Sequence, residues 1–144
     1  MPVATIIRRR RPIRPRNPIS LDITPHVAAG RQLIGGYGDG GFRISGERYE
    51  GSLIVFTESA HPWSVTDRPS ITIETLQLVI DRAVELEILV IGCGPDFSPP
   101  PEDLREALRA HGIVLEWMDT GAACRTFNVL LTEERRIAAA LVAV

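Results

Sequence analysis

Two stretches of this chain bring together residue types that can bind a ligand or react. The first is Gly92-Cys93-Gly94, which ends the continuous apolar run Ile88-Leu89-Val90-Ile91. The second runs from Asp119 to Leu131, where Thr120 is placed to cap a helix because its hydroxyl can accept from an amide two or three residues on. Free amides at a helix start, backed by the helix dipole, attract anions. Gly92, Gly94, Thr120, Gly121 and Asn128 are therefore the candidate ligand-binding residues. Cys124 falls in the first turn of the same helix, where the dipole lowers a thiol pKa, and is the candidate reactive thiol. The plainer reading of Cys93 and Cys124 is two packed thiols in a core. Ala123, Cys124, Phe127 and Leu131 share one helical face, and Asn128 sits at its edge, where an amide side chain ties down neighbouring backbone.

Other chemistries find no support. A dinucleotide fingerprint fails because Phe97 stands in place of the third glycine and Pro99-Pro100-Pro101 occupies the expected helix start. The glycines of Gly35-Gly36-Tyr37-Gly38-Asp39-Gly40-Gly41 precede a strand and lack the Gly-Lys-Ser/Thr ending of a phosphate loop. His26, His61 and His111 are too far apart to share a helix or hairpin as metal ligands, and the two cysteines form no Cys-x-x-Cys pair. No Gly-x-Ser-x-Gly elbow is present, and the acids are scattered as on solvated faces. No metal and no cofactor are expected, no catalytic residue is assigned, and the balance leans away from an enzyme.

The 144 residues suit one domain with a real core. All 16 basic residues other than histidine are arginine, and six of them fall within residues 1–19, which hold no acid; the body is consequently acidic. Residues 1–21 are expected to form a basic Pro/Arg-rich disordered tail, and residues 22–144 the folded domain. Prolines in the tail exclude an amphipathic helix and no aromatics interleave for base stacking, so neither nucleic-acid binding nor stable membrane insertion is predicted. With no apolar run of spanning length and no secretory leader, the expected location is the bacterial cytoplasm, or the mitochondrion if the source is eukaryotic.

These residues need a scaffold. The Gly35–Gly41 stretch reads as flexible, its glycines serving hairpin or loop geometry, followed by a hairpin of Phe42 and Ile44 against Tyr49 around Ser45-Gly46-Glu47, its second arm running on through Leu53-Ile54-Val55-Phe56. His61-Pro62-Trp63 reads as a loop. Thr72 begins a helix whose Ile73, Leu76, Val79, Ile80, Ala83 and Val84 mark one face. Then come a strand ending at Ile91, a helix over residues 102–110, a strand over 113–118, the Thr120 helix, and a last apolar segment over 137–144, whose alanines would permit helix but whose length and place favour a buried strand. The strands ending at Ile91 and Met118 should be parallel, with their exit loops side by side.

The combination of Gly92-Cys93-Gly94 after an apolar strand with Met118-Asp119-Thr120, Ala123-Cys124-Arg125-Thr126-Phe127-Asn128 and Leu130 resembles the Mth938-type domain family. Phe42-Arg43-Ile44, Tyr49 and the Trp63 segment extend the likeness over about residues 22–144. The resemblance implies a single compact three-layer α/β domain with a mixed central sheet. Its members are mostly uncharacterised and include a mitochondrial assembly factor of the NADH:ubiquinone oxidoreductase complex. It therefore implies a non-catalytic interaction or assembly protein whose partner is a respiratory-complex subunit or assembly component. The alternative is a small-molecule or anion-binding protein, an enzyme included, with its site where the Gly92 and Thr120 loops meet.

Overall fold

A computed structural model describes residues 30–144; the basic tail and His26 lie outside the described residues. Eight strands and three α-helices follow in order: β1 Ile34–Gly38, β2 Gly41–Ile44, β3 Glu47–Glu50, β4 Leu53–Phe56, β5 Ala60–Pro62, α1 Gln77–Ile80, β6 Ile88–Gly92, α2 Leu104–Arg109, β7 Val114–Met118, α3 Thr120–Thr132 and β8 Ile137–Leu141.

The central sheet has the order β5-β4-β8-β6-β7. Strand β6 pairs in parallel with both β7 and β8, whereas β4 runs antiparallel to β8 and β5, so the sheet is mixed. Side chains alternate across it, as a pleated strand requires. Ile54, Phe56, Leu89, Ile91, Leu115, Trp117, Ala138 and Ala140 face one layer, with Leu104 and Leu108 of α2 and Leu76 and Val79. Leu53, Val55, Val90, Ile137, Ala139 and Leu141 face the other, against Ala123, Cys124, Phe127 and Leu131 of α3. The three alanines of β8 occupy the middle of the sheet and are fully buried, their small side chains leaving room for the neighbouring layers. The expected three-layer α/β domain is what forms.

Several local expectations need correction. Of hairpin and loop, the Gly35–Gly41 stretch takes the hairpin: residues 34–38 form β1, paired antiparallel with β2 across a two-residue turn in which Asp39 (φ 53°) and Gly40 (φ 78°) both lie in the left-handed region. That geometry matches the right-handed twist of a hairpin, and Asp-Gly is among its strongest sequence signals. Ser45 (φ 50°) and Gly46 (φ 84°) repeat it between β2 and β3. The second arm does not run on into residues 53–56. It ends at Glu50, Gly51 turns at φ 82°, and β4 enters the central sheet while β1-β2-β3 close a separate small one.

His61-Pro62 lies in strand β5 at the sheet edge, where proline's missing donor costs no ladder bond. The helix expected from Thr72 breaks into 3-10 turns at Glu74–Leu76 and Ala83–Glu85 around the single turn α1. Leu76 and Val79 are buried as their periodicity requires, but Val84 is 90% exposed. Thr72, Ile73, Thr75, Val79, Ile80 and Val84 are β-branched and lose rotamer freedom in a helix, which disfavours a continuous one. Helix α2 is shorter than expected, starting after Asp103, which holds a left-handed φ of 71°.

Candidate functional site

The two candidate loops do meet. Strands β6 and β7 end together, and the Cys93 amide donates to the Met118 carbonyl at 2.8 Å. Helix α3 is capped one residue earlier than its sequence suggested: the Asp119 carboxylate accepts from the Ala122 amide at 2.9 Å, with Asp119 in an extended conformation. Aspartate caps as well as threonine does. Thr120 is therefore the first helical residue, fully buried and free for another task.

That task is to tie three chain segments together. The Thr120 hydroxyl donates to the Val142 carbonyl at 2.8 Å and accepts from the Gly94 amide at 3.0 Å. The Thr120 amide donates to the Gly94 carbonyl, and the Val142 amide to the Gly92 carbonyl, each at 2.9 Å. Open parallel sheets bind ligands beyond the carboxyl ends of their strands. Here the ends of β6 and β8 are closed over one another by a buried hydroxyl, and the Cys93, Gly94, Thr120 and Ala122 amides all have protein partners.

Gly92 permits the close approach. A Cβ there would stand 2.7 Å from the Thr120 Cα and 3.1 Å from the Ala123 Cβ. Gly121 is buried against β1, where a Cβ would stand 2.5 Å from the Tyr37 hydroxyl. Asn128 is not part of this corner: two turns along α3, it bonds both backbone groups of Ile34 and anchors β1. Cys124 is buried, and burial, opposed only in part by Arg125, pushes its thiol up to about 12. A thiol so raised is not ionised near neutral pH, which supports the packed reading over the reactive one. Cys93 is buried too, its thiol directed to the Asp96 carbonyl at 3.5 Å.

Outside the corner lies an open depression of about 240 Å³, bordered by Thr66, Asp67, Arg68, Gly94, Asp96 and Ser98. The loop beside it is pinned at two points. Trp117 donates its indole N–H to the Ser98 carbonyl at 2.6 Å, and the Arg68 guanidinium makes two bonds to the Pro99 carbonyl at 2.6 and 2.8 Å. On this pinned loop Phe97 is 62% exposed. Sequence reasoning missed Asp119 and Val142 at the corner. Asp119 carried a capping signal in plain view, whereas the Val142 carbonyl, as backbone, carried none. Among the described residues, no group of three or more His, Cys, Asp or Glu side chains is arranged to hold a metal ion.

A mixed five-stranded sheet closed at its strand ends by a helix-start threonine places the molecule among compact α/β domains. The chain belongs to the family described as protein of unknown function DUF498/DUF598, which residues 34–142 match. An uncharacterized protein of Rhodobacter capsulatus is 39% identical over 113 residues, covering 78% of this chain and 86% of that protein. NADH dehydrogenase [ubiquinone] 1 alpha subcomplex assembly factor 3 of Danio rerio is 33% identical over 123 residues, covering 85% of this chain and 71% of its own length. Among solved structures, an outer membrane protein from Bartonella henselae superimposes with a TM-score of 0.74 at 40% identity, over 83% of this chain and 99% of that one. A Mth938-like domain from Bordetella pertussis matches with a TM-score of 0.72 at 25% identity, over 85% and 92%. No helix among the described residues is long and apolar enough to cross a membrane.

Proposed function

We propose that this protein is a non-catalytic assembly or interaction factor that works on a subunit or assembly component of a respiratory NADH:quinone oxidoreductase. The observation that carries the reading is the similarity, along 85% of the chain, to a protein named as an assembly factor of NADH dehydrogenase. The geometry supports it from two sides. The strand-end corner spends its buried hydroxyl and the Cys93, Gly94, Thr120 and Ala122 amides on the fold itself, so these groups are not left as donors for a transition state. Beside it, an exposed phenylalanine on a pinned loop offers a partner an aromatic anchor at little entropic cost.

Affinity purification of the full chain at native expression tests this, alongside native-gel quantification of the NADH:quinone oxidoreductase in cells lacking the protein. The expected result is co-purification of an oxidoreductase subunit or assembly component and loss of the assembled complex on deletion. Normal amounts of fully assembled complex in the deletion strain would overturn the reading.

The second reading is a small-molecule or anion site at the Gly92–Gly94 and Thr120–Gly121 edge. The open depression beside Gly94 favours it. Titration with phosphate followed by amide NMR tests it, because a ligand there should move Gly94 and Gly121 together.

A further inference from the structure

The pole of the sheet opposite this corner, where β4 ends and β6 and β8 begin, carries a depression of about 300 Å³. Its apolar wall is Phe56, Leu86 and Ile137, and four arginines, Arg31, Arg82, Arg135 and Arg136, reach it from distant parts of the chain. Arg135 is neutralised, with its Nε 2.9 Å from a Glu87 carboxylate oxygen. The other three have no carboxylate within ion-pair distance among the described residues.

Arg82 lies with its guanidinium carbon 4.2 Å from the centroid of the Phe56 ring, so the ring's negative face holds it without neutralising it. Arg31 is more telling. Its Nε is out of contact with solvent and has no hydrogen-bond partner among the described residues. A buried, unsatisfied donor on a charged group is costly, and native structures rarely leave one without a reason.

Three glutamates, Glu58, Glu85 and Glu134, also border the depression, but all are exposed, whereas Arg31 and Arg82 are partly buried. Water screens the outer acids more than the inner cations. The inner end therefore attracts one negative head, while the acidic rim repels an extended polyanion such as a nucleic acid or an anionic membrane. A guanidinium presents paired donors that match a carboxylate or phosphate, and the volume is at the small end for ligand pockets.

We propose that this pocket binds the carboxylate or phosphate head of a small organic anion, with Arg31 and Arg82 holding the head and the Phe56–Leu86–Ile137 wall taking the apolar body. The site stands independently of the assembly reading, since it uses neither the Phe97 loop nor the strand-end corner.

Isotope-labelled full chain is titrated with inorganic phosphate, phenyl phosphate and benzoate and followed by amide NMR. The expected result is saturable shifts at Thr57, Ser59 and Arg136 at roughly millimolar probe, with at least one aromatic probe binding more tightly than inorganic phosphate, and with Gly94 and Gly121 unmoved. Tighter phenyl phosphate marks a phosphate ligand, and tighter benzoate a carboxylate. Arg31→Gln and Arg82→Gln should each weaken binding about tenfold, the usual cost of losing a charge-assisted bond. A retained wild-type spectrum elsewhere verifies the fold of each variant. A rise in wild-type melting temperature with probe concentration gives a readout that needs no variant. Absence of saturable shifts, shifts at Gly94 and Gly121 instead, or equal affinity in both folded variants would overturn the proposal.

Discussion

Asn128 holds Ile34 by both backbone groups: its Oδ1 accepts from the Ile34 amide at 2.9 Å and its Nδ2 donates to the Ile34 carbonyl at 2.7 Å. The two residues are 94 positions apart, and the pair fastens the small sheet onto α3. A carboxamide is well suited to this, because it presents a donor and an acceptor side by side as another strand would.

Asn128→Ala should therefore cost about 2–4 kcal/mol, since it leaves a donor and an acceptor at a buried residue unpaired. Asn128→Asp should not restore this stability at neutral pH, because an ionised carboxylate accepts from the amide but cannot donate to the carbonyl. Urea unfolding checks both; a midpoint within error of wild type for the alanine variant would show that β1 is held by other contacts.

Gly92→Ala and Gly121→Ala should separate widely although each adds one methyl. At Gly92 the new carbon meets the Thr120 backbone at 2.7 Å, so the sheet and helix must part, at a cost of about 1–3 kcal/mol or more. At Gly121 it meets the tip of Tyr37, which is 44% exposed and can swing away. Thermal melts should show a large loss for the first and a small one for the second. Adding Tyr37→Ala should remove most of the cost of Gly121→Ala and none of the cost of Gly92→Ala.

With its thiol pushed up to about 12 by burial, Cys124 should resist a thiol reagent at pH 7.5 in the folded protein and react freely in urea. Mass spectrometry after brief iodoacetamide treatment reads this directly. Rapid modification of Cys124 under native conditions would mean that α3 opens readily or that the thiol is activated.

His61 should make stability depend on pH. Burial, and then the charge of Arg82, lower its pKa from the ordinary 6.5. The neutral ring lies within hydrogen-bond distance of Ser59, Nε2 to Oγ 2.9 Å. Between the folded pKa and 6.5 the unfolded chain binds more protons, so this contribution is full above pH 6.5 and is lost as pH falls through the folded pKa. The slope of unfolding free energy against pH should flatten below 6.5 in His61→Gln. Arg82→Gln should raise the pKa measured by imidazole NMR without returning it fully to 6.5, because burial remains.

What the residues determined by themselves is local. The run Ile88–Ile91 and the stripe Ala123, Cys124, Phe127 and Leu131 each became the element its pattern demands, whereas the alanines of β8 permit helix as well and became a strand through their place between β4 and β6. Asp39-Gly40 carried a hairpin signal as clear as any, hidden by the surrounding glycines. The tertiary structure decided the rest. Whether β4 would extend the hairpin or change sheets depended on the vacancy beside β8, a strand more than 80 positions later. Whether Thr120 would cap its helix or bridge Gly94 to Val142 depended on three strand ends arriving together. Arg31, Arg82 and Arg136 are unremarkable in the sequence, because charge becomes a site only where folding brings it to one wall and leaves it unneutralised. Patterns of period two or 3.6 are written by neighbours along the chain, whereas hydrogen-bond partners and electric fields are set by neighbours in space.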